Sequence, residues 1–314
     1  MTHALIIGSQ GQDGRLLADA LARRDVAVTG LSRQGLRQPD GAVDPPVDVV
    51  APEAVAALVR RTAPDFVYYL AAVHHASQDA ALADQATLWA SSMAVNAAGP
   101  ANVLEALRLH APRARFFYAS SCLVFGRPTE SPQLETTCLR PECVYGISKT
   151  TAMHAVAMYR ERHELYAVSG ILYNHESHLR PERFLSRKVV MTAQRISRGL
   201  QDELLLADLS AQTDWGYAPD FVEAMQTVLQ APKPQDYVIA TGELHCVLDW
   251  VEEAFALAGL DWRKHVREDT TLGKRRRAPL IGNPARIRDT CGWRPETGFA
   301  DMVRKMFEAV DAIL

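Results

Sequence analysis

The fold of this chain is decided near its N-terminus by the stretch Ala4-Leu5-Ile6-Ile7-Gly8-Ser9-Gln10-Gly11-Gln12-Asp13-Gly14. Its four apolar residues predict a buried strand, and the three glycines lie between that strand and a helix over residues 14–24. Such a loop lets a phosphate approach backbone amides at a helix N-terminus, where the helix dipole favours negative charge. We therefore predict that a dinucleotide pyrophosphate is bound by Gly8, Gly11, Gln12, Asp13 and Gly14.

Apolar strands and amphipathic helices alternate along the first half of the chain. Strands are predicted over 26–32, 65–71, 115–120, 168–173 and 237–241, and helices over 51–61 and 92–110. This alternation predicts βαβ units and a parallel sheet buried on both faces. We expect an α/β fold, a doubly wound Rossmann-type parallel sheet, over 1–173 and about 217–244. A smaller C-terminal substrate lobe is expected from about 174–216 and 245–314. Residues 34–46, rich in Gly, Pro and Gln, predict a surface loop.

Composition narrows the class of protein. The 314 residues carry a net charge of -3, which gives no reason to expect a nucleic-acid partner. The chain contains no apolar stretch long enough to span a membrane, and Met1–His3 leads directly into the first strand rather than a signal segment. The five cysteines form no CxxC pair, which is typical of reduced thiols in a cytoplasmic protein. We expect no metal ion.

A second motif, Tyr145-Gly146-Ile147-Ser148-Lys149, places a tyrosine and a lysine one helical turn apart. Tyrosine, with a reference pKa of ~10, moves protons poorly unless its phenolate is stabilised, and Lys149 supplies the positive charge. Ser121 follows a predicted strand and is suited to hydrogen-bond the same substrate oxygen. Asn96 is predicted to stabilise the arrangement of Ser121, Tyr145 and Lys149 through backbone or water contacts. We predict hydride-transfer chemistry with Ser121, Tyr145 and Lys149 as catalytic residues.

The end of the second strand bears on the choice between NAD and NADP. An acidic side chain there would bind the ribose 2′-hydroxyl, but the strand ends with Arg33 and no carboxylate occurs before Asp40. Arg33 favours a 2′-phosphate, hence NADP(H), although a solvated arginine would look the same. Asp48 is predicted to face the adenine. Leu70, Ala71 and Ala72 end a strand with the small residues that the ribose and nicotinamide need, and Tyr145 and Lys149 are also expected to contact the cofactor.

Taken together, the two motifs resemble those of extended short-chain dehydrogenases, and most of the chain resembles the GDP-mannose 4,6-dehydratase family. The resemblance is densest over 170–177 (GILYNHES), 214–225 (DWGYAPDFVEAM) and 237–243 (YVIATGE). It implies a GDP-hexose substrate, tightly held NADP and transient oxidation at C4. It also implies a cofactor contact from His175. The substrate contacts that we infer with it are Asn174, Glu176, Arg183, Lys188 and, within the basic run 274–277, Arg276.

The chain departs from that family at three places. The family strand Ser-Thr-Ser-Glu-Leu-Tyr-Gly reads here as residues 120–126, SSCLVFG, so Leu123 replaces the glutamate that takes the C5 proton. Losing a positioned general base typically costs about 10²–10⁴ in rate. Thr213 stands where the family has an arginine, and the run 274–277 replaces an Arg-Pro-x-Glu stretch. We interpret Cys122 as a packed thiol. The spacing singles out none of the remaining possible bases, which are His74, His75, Glu130 and Glu135.

The loop after Arg33 is shorter than the one that helps the dehydratases form a tetramer, so a homodimer is expected. Its predicted interface is formed by the helices around 92–109 and 145–162, where small residues permit close approach: Ala94, Ala97, Ala98, Ala101, Ala152 and Ala155.

Three functions fit these residues. The favoured one is an NADP-dependent 4-keto reductase, or the reverse dehydrogenase, acting at C4 of a GDP-(deoxy)hexose, because it does not need the missing glutamate. The second is a true 4,6-dehydratase with a displaced base. The third is a non-catalytic NADP-binding subunit that senses cofactor or partners a dehydratase.

Overall fold

The computed structural model describes residues 2–74, 84–269 and 279–311. The strands are β1 (His3–Ile7), β2 (Ala27–Ser32), β3 (Gly35–Arg37), β4 (Val43–Asp44), β5 (Phe66–Tyr69), β6 (Arg115–Ala119), β7 (Tyr166–Leu172), β8 (Asn174–Glu176), β9 (Leu204–Leu206), β10 (Gln212–Thr213), β11 (Trp215–Tyr217), β12 (Tyr237–Ile239), β13 (His245–Cys246) and β14 (Val266–Glu268). The α-helices are α1 (Gln12–Ala22), α2 (Pro52–Thr62), α3 (Gln85–Met93), α4 (Gly99–His110), α5 (Val144–His163), α6 (Leu185–Ser197), α7 (Ala218–Val228), α8 (Val247–Leu257), α9 (Ala285–Cys291) and α10 (Phe299–Asp311).

The largest sheet within the described residues has the strand order β12-β7-β6-β5-β1-β2-β3-β4. The strands from β12 to β2 are parallel, which confirms the predicted doubly wound α/β class. Because the strands are parallel, their carboxyl ends meet at one edge, the edge at which open α/β sheets bind ligands. The glycine loop after β1, Leu70 after β5 and Ser120 after β6 therefore lie at this edge.

The prediction of a surface loop over residues 34–46 is wrong. That segment forms β3 and β4, an antiparallel hairpin that extends the sheet beyond β2. Leu36 is fully buried and pairs with Leu31 on one side and Asp44 on the other. A Cβ at Gly35 would lie 2.9 Å from the Asp44 carbonyl oxygen, so the glycine permits a close approach within the hairpin.

The predicted helix over residues 92–110 is also not one continuous α-helix. Helix α3 begins earlier, and a π-helical segment, Ala94–Ala98, separates it from α4. Pro100 has no N–H to donate to the Asn96 carbonyl, and the Tyr118 hydroxyl donates to it instead at 2.8 Å. The π-helical segment is therefore stabilised by Tyr118 of β6. This contact fixes the backbone at Asn96 beside the end of that strand.

Two hydrophobic clusters divide the core. The first surrounds the main sheet, and the second joins α6, α8 and α10 with β9 and β14. Ile287 and Trp293 belong to the first cluster, although the predicted division assigns 245–314 to the smaller lobe. The division into domains stays a prediction. Because Ile287 and Trp293 pack in the first cluster, the residues around them should be moved from the smaller lobe to the main domain.

Over the described ranges, none of the helices combines the length and the apolar character needed to cross a membrane. None of the five cysteines, all of which lie within the described ranges, forms a disulfide, and Cys122 is buried, as predicted.

Candidate active site

The turn between β1 and α1 has the geometry of a phosphate-binding loop. Helix α1 follows Gly11, and of the described residues none caps its first backbone N–H groups with a side chain. Gly8 has a φ of 100°, and a Cβ there would lie 2.6 Å from the Ala71 nitrogen. A Cβ at Gly14 would lie 2.3 Å from the Gly8 carbonyl oxygen. Free amides at a helix N-terminus and a loop that only glycine can form fit a dinucleotide pyrophosphate.

Asp13 and His175 form an ion pair beside this loop. His175 Nε2 lies 3.0 Å from Asp13 Oδ2, and its Nδ1 lies 2.7 Å from the Tyr173 carbonyl oxygen. Burial alone raises the pKa of Asp13, but His175 and hydrogen bonds outweigh it and lower that pKa to about 2. Burial likewise opposes the charge of His175, yet the Asp13 carboxylate raises the pKa of the imidazole. The pair joins α1 to β8, and its direct contact with cofactor stays a prediction.

Gln12 strengthens the same connection. Its amide nitrogen donates to the His175 carbonyl oxygen at 3.1 Å, and its amide oxygen accepts from the Ser177 hydroxyl at 2.8 Å. The structure therefore brings together three residues that are predicted to bind cofactor: Gln12, Asp13 and His175.

Arg33 is exposed in the turn between β2 and β3, beyond the carboxyl end of β2. Arg37, which the sequence did not single out, is exposed on β3 and paired opposite Gly30. The hairpin places this second arginine on the strand that neighbours β2. Asp48 is exposed, and its own carboxylate accepts from the Val50 amide at 2.9 Å. The predicted roles of Arg33 and Asp48 toward cofactor stay predictions.

Tyr145 and Lys149 lie in the first two turns of α5. Lys149 is 1% exposed, its Nζ donates to the Ala119 carbonyl oxygen at 2.7 Å, and the same atom lies 5.5 Å from the centre of the Tyr145 ring. Burial lowers the pKa of Lys149 to about 7. Burial also raises the pKa of Tyr145, an effect that the positive charge of Arg180 opposes. A tyrosine that keeps its proton next to a titratable lysine is suited to donate that proton to an alkoxide.

A short 3₁₀ turn, Cys122–Val124, carries the position of the missing glutamate. The Ser121 hydroxyl accepts from the Leu123 amide at 3.3 Å. A Cβ at Gly146 would lie 2.6 Å from the Leu123 carbonyl oxygen, so the turn packs directly on the first turn of α5. Ser121 is thereby held close to the helix that bears Tyr145. Leu123 is only partly buried.

Asn96 is fully buried and hydrogen-bonds to helix α5. Its amide accepts from the Val73 nitrogen at 2.8 Å and donates to the Val73 carbonyl at 3.1 Å. It also donates to the Ser148 hydroxyl at 3.0 Å. The loop after β5 and helix α5 are therefore held together through one side chain.

A stack of rings that the sequence did not predict covers Tyr145. The His74 ring meets the Tyr145 ring edge to face at 4.8 Å, and it stacks at 5.8 Å on Phe184. The Arg180 guanidinium lies over the Phe184 ring, with its Cζ 4.2 Å from the ring centre. The Arg180 Nε lies 3.1 Å from a carboxylate oxygen of Glu176. Arg180 and Phe184 precede α6 and lie outside any helix, so no periodic pattern in the sequence indicates this arrangement.

The predicted substrate residues that the structure describes lie on β8, on α6 and just before α6. Asn174 is exposed, and the Arg183 guanidinium lies 5.1 Å from the Phe184 ring. Glu176 is buried and accepts from the Ser186 hydroxyl at 2.6 Å, so its carboxylate serves an internal contact, and binding to substrate stays a prediction. Lys188 donates to the Leu205 carbonyl at 2.8 Å and lines an open cavity of about 620 Å³ with residues 201–205. Arg276, like His75, lies outside the described residues.

Two solved structures of other proteins share the fold of this chain over their whole length. The structure described as RMD from Pseudomonas aeruginosa complexed with NADPH matches with a TM-score of 0.86 and 20% identity over 100% of both chains. The UDP-glucose 4-epimerase of Thermus thermophilus, in complex with NAD, matches with a TM-score of 0.81 and 23% identity over 100% of both chains. At such identities the likeness establishes the fold alone.

Sequence comparison defines the family. A model of the GDP-mannose 4,6 dehydratase family matches residues 5–306. GDP-mannose 4,6 dehydratase 1 of Arabidopsis thaliana is 35% identical over an alignment of 326 residues that covers 97% of this chain and 88% of that protein. The GDP-mannose 4,6 dehydratase of Homo sapiens is 30% identical over 342 residues, covering 98% of this chain and 90% of that protein. The chain belongs to the GDP-mannose 4,6 dehydratase family.

Proposed function

We propose that the chain is an NADP(H)-dependent oxidoreductase that reduces the C4 ketone of a GDP-hexose, or catalyses the reverse oxidation. The observation that carries this proposal is a contrast between two kinds of residue: those that hydride transfer needs are present, whereas the one that elimination needs is absent. Ser121, Tyr145 and Lys149, the residues needed for hydride transfer, are all present. Leu123 occupies the position of the elimination base, and an alkyl group cannot take a proton.

The chemistry divides between cofactor and protein. When bound, the nicotinamide supplies the hydride that adds to C4. Tyr145 donates its proton to O4, so the C=O bond becomes an H–C–O–H group, and Ser121 hydrogen-bonds the same oxygen. Lys149 carries the positive charge that stabilises the tyrosinate left behind. In the reverse direction Tyr145 removes the proton from the hydroxyl.

The binding assignments follow the same residues. We assign the pyrophosphate to the loop of Gly8, Gly11 and Gly14, and the 2′-phosphate of NADP(H) to Arg33 and Arg37. The diphosphate of the sugar nucleotide is assigned to Lys188 on α6. The likeness to a structure that contains NADPH and the names of the relatives support these choices.

The direct test follows NADPH absorbance with a GDP-linked 4-keto-6-deoxyhexose. We expect one NADPH to be consumed for each sugar reduced. Tyr145→Phe should lose about 10²–10⁴ of the rate because it has no proton to donate, while still binding NADPH. Tyr159→Phe, on the same helix, is the matched control and should reduce the sugar at the wild-type rate. NADPH consumption that survives in Tyr145→Phe would contradict the assignment.

A second candidate, a 4,6-dehydratase with a displaced base, is favoured by one finding: the curated relatives at 30–35% identity are named as such dehydratases. It predicts that GDP-mannose loses one water without net consumption of cofactor, because the hydride is returned internally. His74, beside Tyr145, is the described side chain best positioned to act as that base. Loss of dehydration in His74→Gln would identify it.

We further propose that the chain forms a homodimer through α3, α4 and α5. The predicted interface needs one correction, since Ala97 and Ala152 are buried within the chain and cannot contact a partner. Trp89 and Met158 are 46% and 36% exposed on α3 and α5 and present apolar surface there. Light scattering should give a dimer mass that Trp89→Glu reduces to that of a monomer, and an unchanged mass in this variant would refute this interface.

A further inference from the structure

Arg187 on α6 is a buried arginine whose charge is not matched by a partner. It is 9% exposed, and its Nη1 atom is buried without a hydrogen bond to any described residue. Burial lowers the pKa of its guanidinium, and the carboxylate whose charge opposes this effect, Glu182, is already paired with Arg195. A buried cation of this kind is costly unless an anion meets it, so the orphaned donor requires an explanation.

The start of α6 is docked on the strand that precedes it. The Ser186 hydroxyl donates to the buried carboxylate of Glu176 at 2.6 Å, so the next residue, Arg187, lies beside the end of β8. Side chains of an α-helix lean toward its N-terminus, and Arg187 is the third residue of α6. None of the described side chains caps that N-terminus. The guanidinium therefore leans toward a helix end whose free N–H groups favour an anion.

A second guanidinium reaches the same region from α1. The Ser177 hydroxyl donates to the Gln12 side chain at 2.8 Å, which fixes the residue after β8 on α1. Arg15 is exposed and lies three residues after Gln12, on the same side of that helix. His178 follows Ser177 and is flanked by both helices: burial, and then the positive charges of Arg187 and Arg15, lower the pKa of its imidazole. Two arginines from different elements therefore face one histidine.

The acidic side chains that are nearest to this cluster along the chain are already paired: Asp13 with His175, Glu176 with Arg180, and Glu182 with Arg195. The cluster of Arg15, His178 and Arg187 therefore keeps its positive charge available for a ligand. Two planar guanidinium groups and an imidazole offer more donors than one carboxylate can accept. A phosphate accepts hydrogen bonds through each of its oxygens and suits such a set.

We propose that Arg15, His178 and Arg187 form a phosphate-binding site, separate from the glycine loop, that takes free phosphate or the phosphate of a monoester while the cofactor is bound. Hydride transfer does not require this site, so the inference does not rest on the proposed function. It assigns a ligand to a surface outside the catalytic groups.

The test measures binding of inorganic phosphate by calorimetry to the protein saturated with NADPH, with chloride at equal ionic strength as the reference. We expect saturable binding of one phosphate per chain. Arg187→Gln and Arg15→Gln should each weaken it about tenfold, because each removes a hydrogen bond from a charged donor. Arg23→Gln, an exposed change at the other end of α1, is the matched control and should bind phosphate as the wild type does.

Phenyl phosphate, measured in the same way, distinguishes the two sources of the ligand. Tighter binding than that of inorganic phosphate supports a site for a monoester, and weaker binding supports a site for free phosphate. Arg15→Gln changes an exposed side chain, so the test stays decisive if Arg187→Gln does not fold.

Three results would overturn the proposal. Phosphate binding that disappears when NADPH saturates the protein would assign these residues to the cofactor instead. Wild-type affinity in Arg15→Gln and in folded Arg187→Gln would place the phosphate elsewhere. Acetate that binds as tightly as phosphate would show that the cluster takes a carboxylate. None of these results bears on hydride transfer, which NADPH consumption measures separately.

Discussion

At the scale of single residues, the environment of Lys149 determines how Tyr145 works. Burial lowers the pKa of Lys149 to about 7, so its positive charge is present below that pH and is lost above it. The reduction needs this charge to stabilise the tyrosinate. We predict that kcat/KM for reduction falls as pH rises through about 7. Lys149→Met should lower the rate about 10²–10⁴ and flatten this limb of the pH profile. A limb that persists in the variant would assign it to another group.

Asp13 and His175 give a second prediction, which concerns stability. The pKa of Asp13 lies near 2, below its ordinary 3.8, so its contribution is present above the ordinary value and is lost as pH falls through about 2. The raised pKa of His175 contributes stability that is lost as pH rises through its folded value. We expect Asp13→Asn to lower the free energy of unfolding by about 2 kcal/mol in mildly acid solution.

Urea unfolding of the apo protein measures this effect, with Asp19→Asn, exposed on the same helix, as the control. The difference between Asp13→Asn and wild type should shrink toward both the acid and the alkaline end. A penalty that is independent of pH would mean that the side chain acts through packing rather than charge.

At the scale of elements, the contact between the 3₁₀ turn and α5 is sensitive to substitution. A Cβ at Gly146 would lie 2.6 Å from the Leu123 carbonyl oxygen, and a backbone atom cannot rotate away. Gly146→Ala should therefore separate Ser121 from Tyr145. A misplacement of about 1 Å can cost about 10² in rate, so we expect a loss of that order in kcat with NADPH affinity preserved.

Gly298→Ala provides the comparison, because a Cβ at Gly298 meets nothing within 4 Å. Its steady-state rate should equal that of wild type. Full activity in Gly146→Ala would show that the turn tolerates displacement and that its contact with α5 is not needed for catalysis.

Some helices and strands could be predicted from the sequence, whereas others could not. Strand and helix periodicity, with the glycine spacing, is sufficient for the parallel sheet and for the loop before α1. These patterns do not predict the backbone where contacts distant in sequence determine it. The hairpin of β3 and β4 depends on the burial of Leu36 in the core. The π-helical segment depends on Tyr118, which replaces a hydrogen bond that Pro100 cannot make.

Among candidate site residues, short motifs suffice for Tyr145 and Lys149, because one helical turn connects them. The ring stack of His74, Phe184 and Arg180 on Tyr145 joins segments more than 100 residues apart in sequence, as the positions of His74 and Arg180 make plain. No local pattern contains that juxtaposition. Glu176 is predicted to bind substrate with the family resemblance over 170–177, whereas its partners Ser186 and Arg180 are evident only in the folded chain.

At the scale of the whole molecule, the account depends on whether the missing base alone separates this chain from a dehydratase. Leu123→Glu restores a carboxylate on the turn next to Ser121 and Tyr145. If the rest of the site is retained, GDP-mannose incubated with this variant and NADP should yield a product lighter by one water, detected by mass spectrometry. Unaltered GDP-mannose would indicate that the substrate lobe has diverged as well.

The central claim, hydride transfer at C4 without elimination, is tested most directly by isotope-resolved mass spectrometry of the wild-type enzyme. The GDP-linked 4-keto-6-deoxyhexose is supplied with NADPH deuterated at the transferable position, and GDP-mannose is incubated with NADP in a separate reaction. We predict that the keto sugar gains one deuterium at C4 and one proton, and that GDP-mannose keeps its mass. Loss of one water from GDP-mannose, with no deuterium entering the keto sugar, would contradict the account.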